Sequence, residues 1–120
     1  MKRDLELIRK ILLATEAHQD PNRTVQLEFD GIPDELVQYN IGLLSEAGYV
    51  EAMDMSNMDG RHFGIWRLTW KGHDFLDAAR DDTIWKKGRD KVVGAVGTVT
   101  LDIMKEVLIS IARDTLGLKG

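Results

Sequence analysis

The chain has 120 residues, 43% of them apolar and 30% charged, with a formal net charge of −4 and no cysteine. That length suits one ordinary domain, which buries about two-thirds of its unfolded surface without needing a metal or a disulfide. The missing cysteines exclude disulfides, thiolate zinc sites, iron–sulfur clusters and thiol nucleophiles, and suit a reducing, cytoplasmic setting.

Asp4 is a natural N-cap, and Leu5, Ile8, Ile11, Leu12 and Ala14 recur behind it at helical spacing. This predicts a first helix that ends near His18, before the turn residues Asp20-Pro21-Asn22. Neither this opening nor the rest of the chain has the apolar run of a signal peptide or a membrane span; the longest charge-free apolar tract, 92–101, holds two glycines. Thr24–Phe29 alternates, placing Val25, Leu27 and Phe29 on one face of a short strand. Asp30-Gly31 breaks it, and Pro33 with Asp34 and Glu35 opens a second helix. Leu36, Tyr39 or Asn40, Leu43, Leu44 and Ala47 form its expected apolar stripe, with Gly48 as the terminating glycine.

Tyr49–Met55 and Ile65–Trp70 are expected to pair as strands around a tip at Ser56–Gly60, where Asp59-Gly60 is the turn signal. Alternation along the second strand sets Trp66, Leu68 and Trp70 on one face and Ile65, Arg67 and Thr69 on the other. A helix over Lys71–Arg80 would bury Phe75, Leu76 and Ala79. Asp82-Thr83 caps a further helix bearing Ile84, Trp85 and Val92. A linker over Gly94–Thr98 precedes a last helix, Thr100–Leu116, with Leu101, Met104, Leu108 and Ile111 on one face and Gly117 at its end. The order predicts an α+β, winged helix-turn-helix-like fold with a degenerate middle helix, a two-stranded wing hairpin and extra C-terminal helices. Residues 1–93 would form the winged-helix-like core, with the linker and helix of 94–120 packed on the same domain.

Three stretches, MKRDLELIRKILL at the start, LLSEAGYVE in the middle and LTWKGHDFLDAARDDTIW at 68–85, resemble a family of bacterial and prophage proteins known as domain of unknown function 2513. The resemblance implies a winged-helix-like fold and a prophage-type neighbourhood, and no activity. Members of that family place His and Lys on the middle helix in a Tyr-His-x-Lys-Leu-Leu pattern. This chain has Tyr39-Asn40-Ile41-Gly42-Leu43-Leu44, so two polar, cation-capable positions are neutral.

Charge is unevenly spread. Residues 21–60 hold one basic residue, Arg23, against eight acids, whereas residues 61–93 hold eight basic residues against five acids. A DNA-reading helix needs Lys and Arg for phosphates and Arg, Asn or Gln for base edges. The helix following Pro33 has no Lys or Arg and carries Asp34, Glu35 and Glu46; Gln38 and Asn40 could address an adenine, but nothing beside them holds a phosphate. Asp34, Glu35, Gln38 and Glu46 are instead the candidate protein-interaction face. The candidate nucleic-acid contacts lie on the hairpin, at Arg61, His62, Arg67 and Lys71, and on the next helix, at Lys86 and Lys87. A continuous basic face joining them would favour nucleic acid, and one interrupted by Asp34, Glu35 and Asp59 would favour protein.

Other chemistries find little footing. Trp66, Trp70 and Trp85 share elements with apolar neighbours, which points to packing before base stacking. Met55–Gly60 lacks the ligand positions of a calcium loop, and His18, His62 and His73 stand in three separate elements. No phosphate-binding, dinucleotide-binding or nucleophile-elbow pattern occurs, and the adjacent pair His73-Asp74 cannot face each other on a helix. The expectation is a non-catalytic interaction or regulatory module without cofactor, metal or membrane. Its partner would be another protein or a second copy in a homodimer, with a wing-led DNA-binding regulator as the alternative.

Overall fold

Helix ends set the frame of the fold. In the computed structural model, which describes residues 1–96 and 100–117 (side chains of 94–96 excepted), the chain is α+β. Its order is α1 (Leu5–Ala17), α2 (Asp34–Glu46), β1 (Val50–Asp54), β2 (Phe63–Leu68), α3 (Trp70–Ala79), α4 (Asp82–Val96) and α5 (Leu101–Thr115). Two compact units result, Met1–His73 and Asp74–Gly120.

In the first unit the Asp4 carboxylate accepts from the Leu7 N–H and starts α1, which buries Leu7, Ile8, Ile11 and Leu12. The expected strand at Thr24–Phe29 does not form. It is reduced to one bridge, in which Val25 and Ile65 exchange backbone hydrogen bonds of 2.9 Å. The chain passes so close to β2 there that a Cβ on Gly64 would stand 2.7 Å from Thr24 Oγ1. Phe29–Ile32 then closes a turn with Gly31 at φ +78°, as a type II turn requires at its third position.

α2 ends in a glycine motif: Tyr49 N–H donates to Leu44 O, Gly48 N–H donates to Ser45 O, and Gly48 takes φ +84°. Its buried stripe is Val37, Ile41 and Leu44 with Gln38 and Asn40, so of the expected positions Leu44 and the alternative Asn40 are buried, and Leu36, Tyr39, Leu43 and Ala47 are not. Tyr39 is exposed and Leu36 and Leu43 are half-buried. Fully burying one such aliphatic side chain is worth about 1.5–3 kcal/mol, so the fold takes the phase in which three of them vanish from water.

β1 and β2 pair antiparallel, with a register shift at Glu51/Ala52 that leaves Trp66 without a partner. This bulge changes which side chains share a face. Phe63, Ile65 and Leu68 are buried while Trp66 is only half-buried, correcting the simple alternation predicted for this strand. Trp70 is not on the strand at all. It opens α3 just after the Thr69 cap, whose hydroxyl accepts from Gly72 N–H, and it is 83% exposed. Of the three tryptophans, Trp85 alone fully joins a core, at 2% exposure. The hairpin tip centres on Met58-Asp59, one residue before the expected pair, because Asn57 and Gly60 exchange the closing hydrogen bonds. Met53, Met55 and Met58 are all exposed along it.

In the second unit Asp81, not Asp82, caps α4 by accepting from Ile84 N–H. α4 continues through 94–96, where a linker is expected; the remainder of that predicted linker, 97–98, lies outside the described residues. Trp85 and Val92 of α4 are buried, as are Leu101, Met104 and Leu108 of α5. The two helices approach closely enough that a Cβ on Gly88 would lie 2.7 Å from Leu108 Cδ2. Thr100 caps α5, and Ile111 is only half-buried. No helix among the described residues is long and apolar enough to cross a membrane.

Candidate functional site

With Val37, Ile41 and Leu44 turned to the core, α2 directs Glu35, Tyr39, Gly42, Leu43 and Glu46 the other way at intervals of three and four residues. This outer face and the hairpin enclose a groove of about 680 Å³ in the first unit, within the range of natural ligand pockets. Asp34, Glu35 and Glu46 line it from α2; Asp59, Arg61, His62 and Phe63 line it from the hairpin. Asp59 entered the sequence reading only as an interruption of the basic face, and Tyr39 and Phe63 were not singled out as an aromatic floor. The available signal was Gly42, a residue that costs about 1 kcal/mol in a helix interior relative to alanine. A Cβ at position 42 would approach two carbons of the Phe63 ring to 3.3 Å, so the glycine lets helix and ring meet.

Two buried amides hold α2 in this attitude. Gln38 Oε1 accepts from Phe63 N–H at 2.8 Å, and its Nε2 donates to Asp34 Oδ1 at 3.3 Å. Asn40 Oδ1 accepts from Asp4 N–H at 3.1 Å, and its Nδ2 donates to Leu36 O at 3.0 Å. Both side chains are thereby committed inside the protein, since buried amides need their partners. Gln38 supports the acidic face from below while Asp34, Glu35 and Glu46 are exposed above it.

The hairpin cations are also engaged, as is Lys71, which lies on α3 and not on the hairpin where it was expected. Arg61 lies 3.8 Å from Asp54 and its guanidinium carbon sits 5.3 Å from the centroid of the Phe63 ring. Arg67 Nε donates to Glu51 Oε2 at 2.8 Å across the strand pair. Lys71 Nζ lies 4.6 Å from the Tyr49 ring centroid and donates to Ala47 O at 3.3 Å, placing a cation at the C-terminal end of α2. His62 is half-buried, and its backbone N–H donates to Ser56 Oγ. Lys86 and Lys87 stand exposed on α4, in the second unit. The structure thus brings Asp34, Glu35, Gln38 and Glu46 together with Arg61 and His62 along one groove, while Arg67 and Lys71 lie outside its lining.

The Asp54 carboxyl is held below the usual carboxylate range. The hydroxyl and the backbone N–H of Ser56, with Arg61 beyond them, keep its pKa below the usual 3.8. Among the described residues no three His, Asp or Glu side chains converge to hold a metal, and no buried side-chain nitrogen or oxygen lacks a partner.

A protein of Haemophilus influenzae (strain Rd), described only as an uncharacterized protein, is 34% identical over 117 residues, covering 97% of this chain and 99% of its own length. No solved structure matches the chain. Residues 2–98 match the family model described as hypothetical protein DUF2513, and the chain belongs to that family.

Proposed function

We propose that this protein is a non-catalytic, winged-helix-like interaction module that works through protein contacts on the α2–hairpin groove. Its element order, a first helix, a turn in place of a middle helix, α2, and then a hairpin, supports the winged-helix-like arrangement. In that arrangement α2 would be the nucleic-acid-reading helix and the hairpin the wing. The observation that carries the reading is the chemistry α2 turns outward: Asp34, Glu35 and Glu46 with no Lys or Arg. Phosphates are repelled by such a face before any base is reached. Arg61 and Arg67 are drawn toward Asp54 and Glu51, which lowers what they can offer a phosphate backbone.

A second reading, wing-led DNA binding, is favoured by the exposed lysines Lys86 and Lys87 on α4, which make no ion pair among the described residues. Fluorescence anisotropy with a labelled duplex separates the two. The interaction-module reading expects no sub-micromolar binding at about 150 mM salt, where exposed charges more than about 8 Å apart are screened. Tight binding with a steep salt slope, weakened across all sequences by Arg61→Ala with Arg67→Ala, would overturn it in favour of the wing.

A further inference from the structure

The groove's charge and length define what it can accommodate. Four carboxylates line it, from Asp34, Glu35, Glu46 and Asp59, against two cations, the ammonium of Met1 and the guanidinium of Arg61, the latter with Asp54 already nearby. Glu35, Glu46 and Asp59 have no ion-pair partner among the described residues. Glu46 sits in the last turn of α2, where the helix's exposed carbonyls disfavour an acid, so the fold itself gains nothing from its charge. The carboxylates do not converge on a point, since no metal-sized cluster of three exists among the described residues. They are strung out instead: Asp34 and Glu46 are separated by about 18 Å of helix at 1.5 Å per residue. Between them lie apolar and aromatic groups, Tyr39, Gly42, Leu43 and Phe63, with Tyr39 39% exposed.

We infer that the groove binds a linear segment of a partner protein carrying several Lys or Arg side chains around an apolar anchor. This rests on the interaction-module reading and names the chemistry of the partner. A compact cation would meet only one end of the row of carboxylates. A helical segment of about a dozen residues, at about 1.5 Å per residue, spans it, pairing its cations with Glu35, Glu46 and Asp59 while its anchor covers Tyr39 and Leu43. Complementary charge of this kind steers encounter and fixes register, and the apolar floor supplies the desolvated centre.

The test uses the full chain and two labelled 12-residue peptides. One carries Arg at every third or fourth position around a central Leu, and the other replaces each Arg with Glu. Anisotropy at about 150 mM salt should show binding of the Arg peptide and none of its Glu analogue. Glu35→Lys with Glu46→Lys should weaken binding at least about tenfold, as reversing two contacts implies. Tyr39→Ser with Leu43→Ser should weaken it as well, while circular dichroism verifies that each variant is folded. Glu28→Lys with Glu106→Lys makes the same charge change on exposed residues outside the groove, and should leave binding within about twofold.

Equal loss in this control pair would overturn the proposal, because binding would then follow net charge alone. So would absence of binding by the Arg peptide. A dimer by light scattering that Glu35→Lys with Glu46→Lys dissociates would also overturn it, the groove then being filled by a second copy. If the peptide does not bind and duplex DNA does not either, the groove proposal falls while the interaction-module reading stands.

Discussion

On the outer face of α2, Glu35 and Glu46 have no ion-pair partner among the described residues, whereas on the hairpin Arg61 and Arg67 each lie within 4 Å of a carboxylate across the strand pair. The two surfaces meet along one groove yet handle charge in opposite ways. Paired cations at a hairpin add a little to pairing and register, typically under about 1 kcal/mol when exposed. Glu35, in the first turn of α2, gains a little from the backbone dipole, whereas Glu46, in the last turn, loses a little to it. Where charge is satisfied inside the chain it belongs to folding, and where it is left open it is available to a partner.

The largest effect should come from removing the frame beneath both surfaces. A Cβ on Gly72 would overlap the Tyr49 carbonyl, a backbone group that cannot swing aside. Gly72→Ala should therefore cost about 3 kcal/mol or prevent folding, as urea unfolding will show. An unchanged midpoint would mean that α3 does not abut the Tyr49 backbone. Next, Gln38→Leu leaves the buried Phe63 N–H without its acceptor and should cost about 2 kcal/mol in the same measurement. A neutral result would show that the groove wall is not tied to the hairpin through this amide.

Smaller shifts address the charges directly. Glu46→Lys places a cation at the end of α2 and should raise stability by about 0.3–1 kcal/mol, read as a higher Tm. A fall in Tm would mean that this carboxylate serves the fold and would erase the contrast between the surfaces. The smallest effect concerns Asp54. Its pKa is lower folded than unfolded, so its contribution is present above the unfolded value near 3.8 and is lost as pH falls through the lower folded value. Asp54→Asn should remove that part of the acid-limb pH dependence and leave stability at pH 7 little changed, since the group is exposed.

Local signals in the sequence predicted local structure well. Asp4, Thr100, Gly48 and Gly117 mark helix ends because a cap depends on the few residues beside it. The phase of α2 was harder. Apolar residues occur on most of its faces, and the true core stripe includes Gln38 and Asn40, polar residues that become buried only because Phe63 and Asp4 supply partners distant in sequence. The bulge leaves no mark on the alternation of β2, so Trp66, expected inside, ends up half-buried, while Trp70 is exposed because the Thr69 cap turns the chain into α3 before it. The single bridge at Val25 likewise depends on how Thr24 meets Gly64. As for the groove, its acids were legible as a charge bias, but their union with Asp59 and Phe63 needed the hairpin to fold back beside α2.

The methionines of the hairpin bear on the chemical durability of the protein. With no cysteine in the chain, thioethers are the side chains most open to two-electron oxidation. Met58 stands fully in solvent at the tip and Met53 and Met55 are well exposed, whereas Met104 is sealed within the second unit. Peroxide should therefore convert Met58 to the sulfoxide first, adding polarity where nothing is packed, and reach Met104 only when that unit opens. The order in which the oxygen atoms arrive, followed by peptide mass, reports on local opening without any added label.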